Sequence, residues 1–260
     1  MPELPEVEYA ARRLRAAIEG KTIARVKALH PALRRRLPPA HARRLSGATV
    51  VRVDRRGKHQ VLRLADGASL HAHFRMAGDW AIGLVGDVLA PHARAVIELE
   101  DGTRVTLVDP RALSTLVWFA PGTDPLPALG PDANDAGFDA RSLGQSLARR
   151  HGPIKPVLLD QGVVAGVGNI YASEALWQAR ISPLARASSI SRGRLARLVD
   201  AIRMVLSAAE RDPGRYSAGD VRTLNVYGRE GEPCPRCGAR IRRIVQAGRS
   251  TYYCSSCQRQ

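Results

Sequence analysis

The sequence predicts an α+β protein in two parts: a β-rich N-terminal half, and a helical C-terminal half that ends in a cysteine-bearing hairpin. Three observations carry this. Short apolar runs separated by turn signals such as Asp66-Gly67 and Asp101-Gly102 fill residues 21–119. Apolar residues at three- and four-residue spacing dominate residues 140–211. All 4 cysteines sit together near the C-terminus.

Taken in order, the chain opens Met1-Pro2-Glu3-Leu4-Pro5-Glu6-Val7-Glu8. One reading is a helix start: Pro5 suits a first turn that needs no N–H, and Glu6 and Glu8 complement the positive end of the dipole. A second is chemical. Removal of Met1 exposes the secondary amine of Pro2 beside the carboxyl group of Glu3, and a terminal amine titrates about 2 to 3 units below lysine, so part of it is nucleophilic at neutral pH. Val7, Ala10, Ala11, Leu14, Ala17 and Ile18 then recur at helical spacing up to Gly20, with Arg12, Arg13 and Arg15 on the other face. Strands are expected at 22–28, 48–53, 60–64, 69–74, 95–99, 105–108 and 116–118, which suits an antiparallel sandwich or a barrel-like domain. Residues 121–137, rich in Pro, Gly and Asp, read as a linker. Helices follow at 140–150, 153–160, 170–179 and 191–211.

Forty Lys and Arg against 24 Asp and Glu give a net charge of +16, spread along the chain. Such a field favours an extended polyanion over a small acidic metabolite, although a generally basic, Arg-rich composition produces the same count. No apolar run approaches a membrane span, and the acidic opening does not read as a signal peptide, so a soluble, cytoplasmic protein is expected. The pairs Cys234-Pro-Arg-Cys237 and Cys254-Ser-Ser-Cys257 have the spacing of a structural zinc site of four thiolates; a disulfide pairing is the weaker alternative. A closed four-thiolate shell leaves no open position for chemistry. Between the pairs, 239–246 and 249–253 read as two strands, and Arg240, Arg242, Arg243 and Arg249 make the hairpin a basic finger.

The helical half also contains Gln161-Gly-Val-Val-Ala-Gly-Val-Gly-Asn169-Ile-Tyr-Ala-Ser-Glu174. Glycines here serve either close packing or a phosphate held by amides at the next helix start, with Asn169 as a further donor. The opening motif, the Gly166-Val-Gly168-Asn169-Ile-Tyr-Ala-Ser-Glu174 turn and the four-cysteine finger, in that order, resemble the formamidopyrimidine-DNA glycosylase and endonuclease VIII family, and its formamidopyrimidine branch more closely. The resemblance covers essentially the whole chain. It implies an N-terminal β-sandwich catalytic domain (2–120), a linker (121–137), a helix-two-turn-helix DNA-binding domain (138–225) and a zinc finger (226–260) holding one structural Zn2+ on Cys234, Cys237, Cys254 and Cys257.

The resemblance further implies a bifunctional glycosylase and abasic-site lyase acting on damaged double-stranded DNA as a monomer in the bacterial cytoplasm, associated with the nucleoid. Pro2 is its implied nucleophile, Glu3 the acid/base group and Glu6 a supporting carboxylate. Lys58 is implied as a phosphate contact and proton donor; without the family, a solvated hairpin charge is the plainer reading. Asn169, Arg249 and Lys155 match phosphate contacts, Met76 a void-filling methionine and Arg111 the arginine facing the orphaned base. Two departures bear on substrate choice. Ala112-Leu113-Ser114 stands where the branch commonly has Arg-Phe-Gly, so Leu113 wedges but does not stack; Arg75 replaces a usual glycine. The 212–225 segment is shorter than the lid of relatives that enclose 8-oxoguanine, which implies an open pocket with broader or shifted specificity. A non-catalytic nucleic-acid binder and a paralogue without efficient excision are the competing classes.

Overall fold

Helix α1 (Leu4–Ile18) forms because its first turn is pre-set and its apolar stripe is unbroken. Pro5 occupies the first turn, and the Glu6 carboxylate accepts the Glu3 N–H at 2.8 Å in a capping box. Leu4, Val7, Ala11, Leu14 and Ile18 stack along one side and are all fully buried. Gly20, in the left-handed region at φ +77°, turns the chain into the first strand.

The structure, a computed structural model, describes residues 1–211 and 224–259. They fall into two units, Met1–Pro127 and Ala128–Gln260. No helix among the described residues is long and apolar enough to cross a membrane. The expectation about a shortened lid at 212–225 falls almost wholly outside the described residues.

Unit 1 contains two four-stranded antiparallel sheets. One runs β1 (Ile23–Ala28), β6 (Ala93–Leu99), β7 (Thr103–Val108), β5 (Asp79–Leu84); the other runs β2 (Val50–Arg56), β3 (His59–Leu64), β4 (Ser69–His73), β8 (Thr115–Phe119). Val26, Ile97 and Leu107 from the first share one core with Val53, Leu62, Leu70 and Leu116 from the second, which makes a sandwich. Helix α1 packs on the edge strands β2 and β5, while α2 (Pro31–Arg34) and α3 (Pro39–Arg43) lie along β1. Three of these elements go beyond the sequence reading. Strand β5 alternates weakly, with Trp80 buried but Ile82 and Leu84 exposed; α2 and α3 are too short for a periodic signal and each opens on a proline.

Unit 2 is helical: α4 (Ala140–Leu147), α5 (Ile154–Leu158), α6 (Asn169–Gln178) and α7 (Arg192–Arg211), with α7 packed on α4 and α6. The hairpin β9 (Arg242–Gln246) and β10 (Arg249–Tyr253) closes it. Part of the proline- and glycine-rich stretch also packs here. Ala133 and Phe138 are fully buried, and Asp132 bridges Ala165. A Cβ on Gly130 would lie 2.7 Å from Gly162 O, so only glycine permits this approach.

Candidate active site and nucleic-acid interface

Strand register gathers one set of functional candidates at one end of the unit 1 sandwich. His59 pairs with His73, and His73 with Thr115, so the Gly57-Lys58 turn, the 74–78 loop and the 109–114 loop share that end. Helix α1 runs antiparallel to β2. Gly20 N–H meets Val50 O, Arg15 Nε meets Val53 O, and Arg55 Nε meets Glu8 Oε2. Continuing that order brings Glu3 and Pro2 toward Gly57 and Lys58. Pro2, Glu3, Glu6, Lys58, Met76, Arg111 and Leu113 are thereby brought to the same end of the unit.

Glu3 is 1% exposed, and Glu6 fixes the backbone from which Pro2 projects. Met1 is exposed, and while it is attached the Pro2 nitrogen is an unreactive amide. Lys58 is 8% exposed, which does not suit a solvated hairpin charge. A further residue was read only as a dipole partner: Glu8. It is buried, and its carboxylate meets Arg12 at 3.1 Å, Arg15 at 2.9 Å and Arg55 at 2.8 Å. Burial pushes its pKa up, but Arg55 and Arg15 outweigh this and hold it below the usual carboxylate value. Glu8 fastens α1 to the strand leading to Lys58. Its signal in the sequence is an acidic side chain on the buried stripe of a helix.

The two loops carrying the implied void-filling residues are stitched together by Asp109, which is fully buried. Its Oδ1 accepts Arg111 N–H at 2.9 Å; its Oδ2 accepts the N–H groups of Leu113 and Ser114 at 2.7 Å each. Burial disfavours its charge, yet these donors hold its pKa low. Ser114 Oγ stands 2.8 Å from Asp109 Oδ2 and 3.0 Å from Phe74 O, so one hydroxyl proton faces two acceptors and spans both loops. A Cβ on Gly78 would lie 2.4 Å from that hydroxyl. Ala112 takes a left-handed conformation, φ +54°, in the tight turn. Met76, Arg111 and Leu113 project outward from this braced pair of loops, all exposed.

Beside Lys58, His59, His71 and His73 share the outer face of β3 and β4. His59 Nδ1 and His71 Nε2 are 2.8 Å apart, and His73 Nδ1 accepts the Arg75 N–H at 3.0 Å. Burial first, then nearby positive charge, pushes them down to about 4, 4 and 3 respectively. All three are neutral at pH 7.

Unit 2 builds a second constellation around Asn169, the first residue of α6. Its Oδ1 accepts from Lys155 Nζ at 2.6 Å; its Nδ2 donates to Ser250 O at 3.1 Å and Tyr227 OH at 3.3 Å. Arg249 precedes Ser250 and is exposed beside the tight Ala247-Gly248 turn, whose φ angles of +47° and +71° suit a two-residue hairpin loop. Asn169 and Arg249 therefore stand together. Lys155 departs from the phosphate contact that the resemblance implies. It is 1% exposed, and its ammonium also donates to Thr251 Oγ1 at 2.7 Å and Ser250 O at 3.0 Å. Its charge is engaged inside the protein, where it orients Asn169 against the hairpin.

Two further residues were not singled out from the sequence. Gln161 bonds Leu159 O, Val167 O and Gly166 N, closing the loop before α6 on itself. Glu174, 3% exposed, accepts four bonds of 2.9 Å each, from Asn225 N and Nδ2, Val226 N and Tyr227 N. It thereby places the Tyr227 hydroxyl beside Asn169. A carboxylate in a helix buried nearly all round was the available signal.

The four cysteine sulfurs lie within 4.8 Å of one another. Cys234 and Cys257 are 3.9 Å apart and Cys237 and Cys254 3.5 Å, against an edge of about 3.8 Å for a tetrahedron of ~2.3 Å Zn–S bonds. Backbone N–H groups of Arg236 and Cys237 donate to Cys234, and those of Ser256 and Cys257 to Cys254, as thiolate knuckles require. The residues fit one structural zinc ion. Trp177 of α6 docks the finger through its indole N–H on Cys234 Sγ at 3.4 Å, with Arg236 stacked 3.9 Å from its ring centre.

Comparisons with known proteins cover both units. Residues 1–116 match the family model of the formamidopyrimidine-DNA glycosylase N-terminal domain, 129–217 that of its H2TH domain, and 231–260 that of a zinc finger found in FPG and IleRS. The formamidopyrimidine-DNA glycosylase of Sphingopyxis alaskensis is 43% identical over 278 residues, covering 100% of each chain. MutM in complex with DNA containing carbocyclic 8-oxo-G has a TM-score of 0.90 at 31% identity, covering 100% of each chain. Wild-type Lactococcus lactis Fpg bound to DNA containing an oxidised pyrimidine has a TM-score of 0.90 at 32% identity, again over 100% of each chain. This chain belongs to the formamidopyrimidine-DNA glycosylase family.

Proposed function

We propose that the protein excises oxidised bases, formamidopyrimidines, 8-oxoguanine and oxidised pyrimidines among them, from double-stranded DNA and then cuts the strand at the abasic site. The observation that carries this reading is the convergence of Pro2, the buried Glu3 and the buried Lys58 with two braced loops that present Met76, Arg111 and Leu113. Met76 and Leu113 fill the stack vacated by the flipped nucleotide, and Arg111 faces its former partner. The chemistry begins at the chain terminus. Once Met1 is removed, the Pro2 nitrogen attacks C1′, the glycosidic C–N bond breaks and the base leaves with a proton. Glu3 moves protons at the opened sugar, and the lone pair on Pro2 closes to an iminium. That cation acidifies C2′–H; loss of this proton expels the 3′ phosphate, a second elimination expels the 5′ phosphate, and water frees Pro2. Asn169 and Arg249 hold phosphates, a contact that positions without reading sequence.

The protein works as a monomer in the bacterial cytoplasm, associated with the nucleoid through its charge. Leu113 in place of an aromatic wedge bears on the preference for the opposite base; the short 212–225 segment is what argues for a broad or shifted lesion range. Borohydride trapping on an abasic-site duplex tests the nucleophile: wild type forms a covalent adduct, and Pro2→Gly, which keeps a terminal amine but not the secondary one, traps less; equal trapping would overturn the assignment. An adduct-free wild type would favour a lesion-binding paralogue instead. Excision from duplexes carrying 8-oxoguanine, a formamidopyrimidine or thymine glycol tests breadth, and exclusive removal of 8-oxoguanine would sink it.

A further inference from the structure

A groove of about 510 Å3 beside β1 has no part in the chemistry above. It is lined by every residue from Ala24 to Ala28. Consecutive strand residues point to opposite faces, so a groove touching all of them runs along the strand's edge. That edge is open because, among the described residues, β6 is the only strand paired with β1. Both ends of it are already closed: Ile23 bonds Gly47 N at 2.8 Å and Ala48 O at 2.9 Å, and Arg34 Nε donates to Ala28 O at 3.1 Å. Between them, the register pairs Lys27 with Val96, and Leu29 N–H bonds Arg94 O. Alternation along an antiparallel ladder then turns the N–H and C=O of Val26 away from β6, into the groove. Among the described residues no other element takes these two groups.

The groove has an apolar floor and a cationic rim. Val26, Ala28, Leu37 and Ala42 form the floor, all buried. Lys27 and Arg43 are exposed on the rim and form no ion pair among the described residues; Arg34 stands with them, followed by the exposed Arg35 and Arg36. A DNA backbone would use the charge but has no strand groups for Val26 and gains nothing from the floor.

We propose that this groove binds a short acidic peptide segment of a partner protein, extended along β1. The segment exchanges backbone bonds with Val26, packs apolar side chains against the exposed Ala24 and Pro39 of the lining, and sets its carboxylates against Lys27, Arg43 and Arg34. Ala24 to Ala28 spans about 13 Å, the reach of a strand of roughly four residues.

Fluorescence anisotropy on the zinc-loaded, full-length protein tests this, with a labelled peptide of alternating aspartate and valine as the probe. Saturable binding is expected, with none for an alternating lysine–valine peptide. Lys27→Glu with Arg43→Glu should weaken it roughly tenfold or more and remove its salt dependence. Val26→Pro deletes an outward N–H and should weaken binding well beyond Val26→Ala, which trims the same buried side chain but keeps the N–H, while base excision by the folded variants stays unchanged. Should Val26→Pro not fold, the charge-reversed variant decides alone. Absence of saturable binding, equal binding by the variants, or complete displacement of the peptide by undamaged duplex would overturn the proposal, the last marking the groove as a nucleic-acid contact.

Discussion

The two constellations are held by similar parts set in different surroundings. Each relies on a buried carboxylate that collects backbone N–H groups: Asp109 takes those of Arg111, Leu113 and Ser114, and Glu174 takes those of Asn225, Val226 and Tyr227. In unit 1 the carboxylate sits at the rim of a large apolar sandwich. In unit 2 the neighbouring supports are themselves polar: the enclosed ammonium of Lys155 and a finger closed by four sulfurs. The chemical end should therefore tolerate the loss of one polar support better than the phosphate grip does.

Metal removal gives the sharpest contrast. A structural zinc site of this kind contributes on the order of 10 kcal/mol in isolated fingers, so chelation should melt the hairpin, separate Ser250 from Asn169 and weaken duplex binding by more than about 100-fold. Calorimetry should show the unit 1 transition nearly unmoved; a joint collapse of both transitions would erase the distinction. Glu174→Gln comes next. It turns an amide N–H toward backbone donors, and a loss of about 3 kcal/mol in unit 2 stability is expected by denaturant titration, with a matching fall in DNA affinity. Asp109→Asn should cost unit 1 less, about 2 kcal/mol, because the sandwich core stays intact, and should slow lesion excision more than abasic-site trapping.

Ser114→Ala removes a single hydroxyl. About 1 kcal/mol of stability should go with it, and the effects of Met76→Ala and Arg111→Ala on excision should become additive, as they would if Ser114 couples the loops. Unit 1 also carries a pH dependence of its own. His59, His71 and His73 have folded pKa values of about 4, 4 and 3, below an unfolded value near 6.5, so the unfolded chain takes up protons that the folded chain refuses. Their stabilisation is complete above about pH 6.5 and fades as pH falls toward 4. Melting temperatures at pH 7.5 and 5 should therefore fall for unit 1, and His71→Gln should flatten that fall.

How far the molecule was legible in advance follows from where each signal lies. Helix α1, most strands of the sandwich, the glycine turn before Asn169 and the paired cysteines are written in contiguous spacing. Strand β5 and the helices flanking β1 were not legible, since β5 alternates weakly and α2 and α3 are too short to show a period. The buried charges were the hardest. Glu8 finds Arg55 47 residues away and Lys155 finds Thr251 96 residues away, so neither partner can be named before the chain is folded. Lys155 shows the consequence: the resemblance implied a phosphate contact, and packing encloses its ammonium against Asn169, Ser250 and Thr251.

The exposed N-terminus has a practical corollary. Because the implied nucleophile is a main-chain nitrogen, any segment fused ahead of Pro2 would keep it acylated while α1, the braced loops and the finger still assemble. An N-terminally tagged preparation should behave as a decoy that occupies lesions without opening them and shields them from the untagged enzyme. A tag at the other terminus should leave turnover intact.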